Sequence, residues 1–144
     1  MTVKEVGAHT DSDRDHDLTG IYHSGKLGSV KNFDVYHLID DDRSDKQATV
    51  QKKVQATGVR IKSDMDALDY RVEYVAQTVE NGDDSESASM YDVEAGYSMD
   101  KFRVAANVMN ASEFYKQLYP TGHKWLGCSD LFKRQNINST AVKL

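Results

Sequence analysis

The segment LDYRVEYVAQ, residues 68 to 77, alternates apolar and polar residues, and its polar positions include Asp69, Arg71 and Glu73. Successive side chains of a β-strand point to opposite faces. As a strand, this segment therefore has Leu68, Tyr70, Val72, Tyr74 and Ala76 on one side and charges of both signs on the other. The design recurs nearby. In ASMYDVEAGYSM, residues 88–99, Tyr91, Val93, Ala95, Tyr97 and Met99 oppose Asp92, Glu94, Gly96 and Ser98. In KFRVAANVM, residues 101–109, Phe102, Val104, Ala106 and Val108 oppose Lys101, Arg103, Ala105 and Asn107. Over 57–62, Thr57, Val59 and Ile61 oppose Gly58, Arg60 and Lys62, whereas upstream Val50, Val54 and Ala56 fall on the Arg60 face, which predicts a β-bulge there.

Proline occurs once, at Pro120, and clusters of Gly, Asp, Asn and Ser separate the alternating runs. This is the punctuation of strands and turns. The pattern predicts an all-β chain, an antiparallel up-and-down meander, with strands near 18–24, 30–39, 49–62, 67–78, 88–99 and 101–109 and a further one near 124–132. Residues 1–17 read as an acidic polar N-terminal segment, 18–132 as strands and loops, and 133–144 as a polar C-terminal tail. The links SDMD and MDK are tight and HSGKLGS is fairly short, whereas DDDRSDKQ, ENGDDSESAS and the segment after Asn110 are long. Alternating short and long connections are the rhythm of outer-membrane β-barrels.

Alternation alone does not say which face is wet. A soluble small-molecule binder, a lipocalin-like up-and-down barrel, would turn the Tyr and Val face inward around a ligand. A transmembrane barrel would turn the same face to lipid. Tyrosine favours the second arrangement: there are eight against four phenylalanines, and Tyr70, Tyr74, Tyr91 and Tyr97 all share the apolar face. A buried phenol needs a partner, but at a membrane interface its hydroxyl reaches the headgroups while its ring stays in hydrocarbon. The alanines and valines of this face are also light for a packed core.

Other classes are disfavoured. The net charge of -5, with scattered Lys and Arg, does not form the basic stripe of a nucleic-acid binder. No run approaches the roughly 18 apolar residues of a membrane helix, and the start MTVKEVGAHTDSDRDHD lacks the apolar core of a secretory signal. The single Cys128 has no disulfide partner within the chain. Asp11, Asp13, Asp15 and Asp17 alternate, but a calcium loop starting at Asp11 would require Gly where His16 stands and Glu where Tyr22 stands. The segment reads as a solvated acidic stretch, and His9 and His16 define no metal geometry. Neither His123, Cys128 and Asp130 nor Glu73 with Glu94 makes a recognisable catalytic arrangement. No cofactor, metal or enzymatic chemistry is implied.

Three stretches in order, TGVRIKSD through LDYRVEYVAQ, then YDVEAGYSMDKFRVAANVMNASE, then FYKQLYPTGHKWLGCSDLF, resemble the alginate-export family of bacterial outer-membrane β-barrel porins. The likeness covers roughly residues 18 to 132. It implies a Gram-negative outer-membrane channel whose lumen is lined by Arg60, Asp69, Arg71, Glu73, Asp92, Glu94 and Arg103. Tyr70, Val72, Tyr74, Tyr91, Val93, Tyr97, Phe102 and Val104 then face lipid. The expected partners are the outer-membrane bilayer and an anionic or polar solute, with alginate-type polyuronates implied by the resemblance. About six strands, no signal and an end, STAVKL, without a terminal aromatic residue predict a piece of a larger porin that self-associates if isolated. Residues 119–132, with Pro120 and Gly122 at their turn, are expected to form an ordered loop over or into the pore mouth.

Overall fold

The computed structural model describes residues 2–5, 16–28, 30–42, 52–118 and 135–144. They form one antiparallel sheet in simple chain order: β1 (Thr2–Glu5), β2 (His16–Leu27), β3 (Val30–Asp42), β4 (Lys52–Met65), β5 (Leu68–Asn81), β6 (Asp84–Met99), β7 (Phe102–Ala111) and β8 (Ile137–Lys143). The all-β up-and-down meander read from the alternation is therefore the fold. The sheet is not closed: β1 pairs with β2 and β8 with β7, and among the described residues the two edges do not meet.

Several details differ from the sequence reading. The tail assigned to 133–144 contains β8, and the acidic N-terminal segment contains β1, so the sheet has eight strands rather than six. The expected bulge before Gly58 is absent, because β4 pairs with β3 and β5 without interruption from Lys52 to Lys62; the one irregularity lies between Gly25 and Leu27 of β2. The long acidic link at ENGDDSESAS is a two-residue turn at Gly82 and Asp83 between two long strands. Asn81-Gly82 is a strong hairpin signal that the surrounding acidic run masked. The strand expected near 124–132, the pore-mouth loop over 119–132, Cys128, His9 and Asp11–Asp15 lie outside the described residues.

Four hairpins share one turn geometry. Leu27 pairs with Val30, Met65 with Leu68, Asn81 with Asp84 and Met99 with Phe102, leaving two residues between strands each time. The first of these two has positive φ in every case: Gly28 (57°), Asp66 (53°), Gly82 (62°) and Asp100 (48°). Aspartate tolerates this region better than most side-chain-bearing residues, though less well than glycine. The β2–β3, β4–β5 and β6–β7 turns all lie at one end of the sheet, and the longer connections lie at the other.

Cross-strand register divides the exposed face into levels. Leu68, Tyr97 and Val104 stand in one row, Val72, Val93 and Val108 in another, and Tyr74 with Tyr91 and Val59 in a third. The first and third rows are six residue steps apart, about 20 Å along the strands. The next rows are polar: Thr57, Ala76 and Ser89, then Gln55, Thr78 and Ser87. The other face reverses the pattern at the same height. Up to the Arg60–Glu73–Asp92 row it is ionic, and from the Gly58–Val75–Met90 row onward it is apolar, with Val54, Ala56, Val75, Val79, Ala88 and Met90 buried. This reversal explains why Val54 and Ala56 share a face with Arg60 without a bulge.

The chain after β7 covers the apolar part of that face. Ser112 extends the ladder, its N–H donating to the Ser89 carbonyl (2.9 Å) while the Ser89 N–H donates to Ser112 Oγ (2.9 Å). Residues 113–118 then fold across the sheet, burying Tyr115 against Ala56, Val75, Ala88, Met90 and Ala111. Gln77, buried among these apolar groups, is satisfied on both sides of its amide: it donates to the Lys116 carbonyl (2.7 Å) and accepts from the Lys116 N–H (2.9 Å).

The turn geometry yields a direct prediction. In urea unfolding of the chain in detergent micelles, followed by circular dichroism, Asp100→Gly should leave the midpoint unchanged or raise it, whereas Asp100→Val should cost about 1–2 kcal/mol. Equal midpoints for the two variants would show that the positive φ carries no strain.

Candidate functional site

The seven charged residues expected to share a face do so. Arg60 on β4, Asp69, Arg71 and Glu73 on β5, Asp92 and Glu94 on β6 and Arg103 on β7 form a belt on the covered face. Asp92 is 1% and Glu73 8% exposed. The eight residues of the opposite set lie on the other face, where Tyr74 is 48%, Tyr97 51% and Phe102 76% exposed; Tyr70 is partly covered. Charges are sheltered and aromatic rings are open, the reverse of the usual soluble arrangement.

Hydrogen bonds and ion pairs tie the belt together in two groups. Arg103 forms a two-pronged pair with Asp69 (Nε–Oδ2 2.9 Å, Nη2–Oδ1 2.5 Å) and also donates to Glu94 (2.9 Å). Arg71 Nη2 lies 3.2 Å from both oxygens of Asp92 and 3.7 Å from Glu94. Asn107 donates to Asp92 Oδ1 (2.6 Å) and Lys143 to Glu94 Oε2 (2.6 Å). Farther along the sheet, Arg60 pairs with Asp34 (2.8 Å) and lies 3.4 Å from the Tyr22 hydroxyl, while the Tyr36 hydroxyl donates to Glu73 (3.2 Å). Such charge-assisted bonds offset part of the cost of drawing ions away from bulk water.

Three of the contacts that span a whole intervening strand pass over a small residue. Arg103 on β7 reaches Asp69 on β5 across Gly96, where an added Cβ would collide with the guanidinium. Tyr36 on β3 reaches Glu73 on β5 across Gly58, where an added Cβ would collide with the phenol ring. Lys143 on β8 reaches Glu94 on β6 past Ala105, its direct cross-strand partner. Tyr22 stacks on Tyr36, with centroids 6.2 Å apart and planes 15° from parallel, which holds the ring flat over Gly58.

Sequence reasoning missed Tyr22, Asp34, Tyr36, Asn107 and Lys143 as members of the belt. On β3 both faces contain apolar residues, so Asp34 and Tyr36 gave no clear alternation, and Lys143 lay in the presumed tail. Asn107 was already on the charged side of its strand and was the one legible omission. Beside the belt, under residues 115–118, lies a cavity of about 180 Å³ bounded by the Tyr22 and Tyr36 rings, Arg60, Glu73, Val75 and Leu118. Among the described residues no group of three or more His, Cys, Asp or Glu could hold a metal ion.

The sequence model of a family described as alginate export matches residues 2–144. The chain belongs to the alginate export family. This is a family of outer-membrane β-barrels with a transport role, and the open meander is consistent with part of such a barrel. Searches of curated proteins and of solved structures found no match. No helix among the described residues is long and apolar enough to cross a membrane, which leaves crossing by strands unaffected.

The crossing at Gly96 predicts that Gly96→Val severs Arg103 from Asp69. Gly96→Val and Asp69→Asn should each destabilise the sheet, by about 1–3 kcal/mol, and the double variant should fall short of their sum by at least about 1 kcal/mol. Strict additivity in a double-mutant cycle would show that the two residues do not act together.

Proposed function

We propose that this chain supplies wall strands to an outer-membrane channel through which anionic or polar solutes diffuse passively. Arg60, Asp69, Arg71, Glu73, Asp92, Glu94 and Arg103 line the lumen, and Tyr70, Val72, Tyr74, Tyr91, Val93, Tyr97, Phe102 and Val104 face lipid. The observation that carries this reading is the paired inversion: sheltered ions stand behind an open row of tyrosines and valines over the same height of sheet. The apolar rows span about 20 Å along the strands, close to the roughly 25 Å apolar band of transmembrane barrels. The soluble lipocalin-like alternative requires the Tyr and Val face to be the enclosed one, and exposure of Tyr74, Tyr91 and Tyr97 weighs against it.

Eight strands enclose an interior that side chains alone fill, whereas an aqueous channel needs more. The edges of β1 and β8 would leave unpaired backbone in lipid at a cost of several kcal/mol per group, so further strands or other copies complete the wall. Self-association of the isolated chain follows. Catalysis has no part in this reading, and alginate-type polyuronates enter as solutes through the family description alone. The belt bears on how they would be held. Arg60, Arg71, Arg103 and Lys143 are all engaged with carboxylates, so at these four positions a polyanion meets compensated charge. Weak charge selectivity suits passage better than retention.

Refolding from urea into micelles should give β-rich material, and refolding into plain buffer should not; a monodisperse β-rich monomer in buffer would favour the soluble barrel. In planar bilayers, replacing Arg71 and Arg103 by Glu in the assembled pore should shift the reversal potential toward cation preference. An unchanged reversal potential would remove these residues from the conduction path.

A further inference from the structure

Above the Tyr74–Tyr91 row, the exposed face carries a groove of about 490 Å³ whose floor includes His37, Gln55, Thr57, Thr78, Ser87 and Ser89. We propose that this groove binds the uncharged saccharide headgroup of a glycolipid in the leaflet surrounding the barrel. The inference rests on the membrane reading above, and assigns a specific lipid contact to the outside of the wall.

Height, lining and size point the same way. The groove begins at Thr57, Ala76 and Ser89, one row beyond the apolar band, so a lipid whose chains lie along Val59, Val72 and Val93 carries its headgroup into it. The lining contains hydroxyls, amides and one imidazole but no Lys or Arg. One row farther out, Glu80 accepts from Gln55 (3.1 Å) and stands opposite Lys53 in the ladder. A phosphate would find no cation in the lining and, in the next row, a lysine opposed by a carboxylate, whereas a sugar hydroxyl both donates and accepts, as do the Ser and Thr hydroxyls opposite it. His37 Nδ1 and Thr57 Oγ1 are 2.9 Å apart, so the two side chains hold each other in place. Tyr74 closes the lower rim with a half-exposed ring whose negative face suits the C–H face of a pyranose. The volume lies within the usual range of roughly 300–1,000 Å³ for small-molecule sites.

The test uses the full chain in mixed micelles doped equally with diglucosyl diacylglycerol and phosphatidylglycerol of the same acyl chains, with retained lipid counted by native mass spectrometry. The glycolipid should be retained on the order of tenfold over phosphatidylglycerol. Thr57→Val with Thr78→Val, and separately Ser87→Ala with Ser89→Ala, should reduce that preference severalfold while circular dichroism stays unchanged. Equal retention, preference for phosphatidylglycerol, or a preference that survives both double variants would overturn the proposal. Displacement by millimolar maltose would also overturn it, by assigning the groove to a soluble sugar. A β-rich monomer that needs no micelle would instead strike the barrel reading itself, whereas an inserted sheet without headgroup preference strikes only the groove.

Discussion

The organisation of this sheet depends on an unbroken antiparallel register. From Lys52 to Lys62 the β3–β4 and β4–β5 ladders advance without a slip, and β5–β6 runs the same way from Leu68 to Asn81. Because side chains alternate with a period of two, a one-residue shift anywhere in this core would turn every carboxylate outward and every tyrosine inward. Four two-residue hairpins with positive φ at their first position fix that register at both ends. The acids and arginines of the belt then reinforce it, since their partners coincide in one alignment only.

The belt is wider than pairwise cross-strand contacts would make it. Glycine at 58 and 96 and alanine at 105 let Tyr36, Arg103 and Lys143 pass over a neighbour strand and bind the one beyond, so the network from β2 to β8 does not rely on backbone bonds alone. Small residues in mid-strand normally weaken a sheet. Here they provide room for contacts that a larger residue would block. The same engagement pairs Arg60, Arg71, Arg103 and Lys143 each with a carboxylate.

Much of this was legible in the chain. Wherever one face carried charges and the other Tyr, Val and Phe, as in β5, β6 and β7, the face assignment followed from order alone, and all seven belt residues named from it stand together. Legibility failed where both faces were mixed. β3 alternates Asp34, Tyr36 and Leu38 against Phe33, Val35 and His37, and only pairing with β4 reveals that Asp34 meets Arg60. β8 has little contrast between its two sides. The acidic run around Asn81-Gly82 masked that turn, and the expected bulge assumes that the environment of a face is constant along a strand. In this sheet it changes halfway.

That change fixes more than sidedness. Below the Tyr74–Tyr91 row the strands follow the logic of a protein dissolved in hydrocarbon, and above it, where Tyr115 and Met90 are enclosed and Thr78 and Ser87 are open, the logic of one dissolved in water. On the proposed membrane reading, sinking by a single row would drag Thr57 and Ser89 into the acyl chains, and rising by one would lift Val59, Tyr74 and Tyr91 out of them. As a membrane wall, the sheet would therefore have a preferred depth, written into the sequence as the point where the two solvents exchange faces.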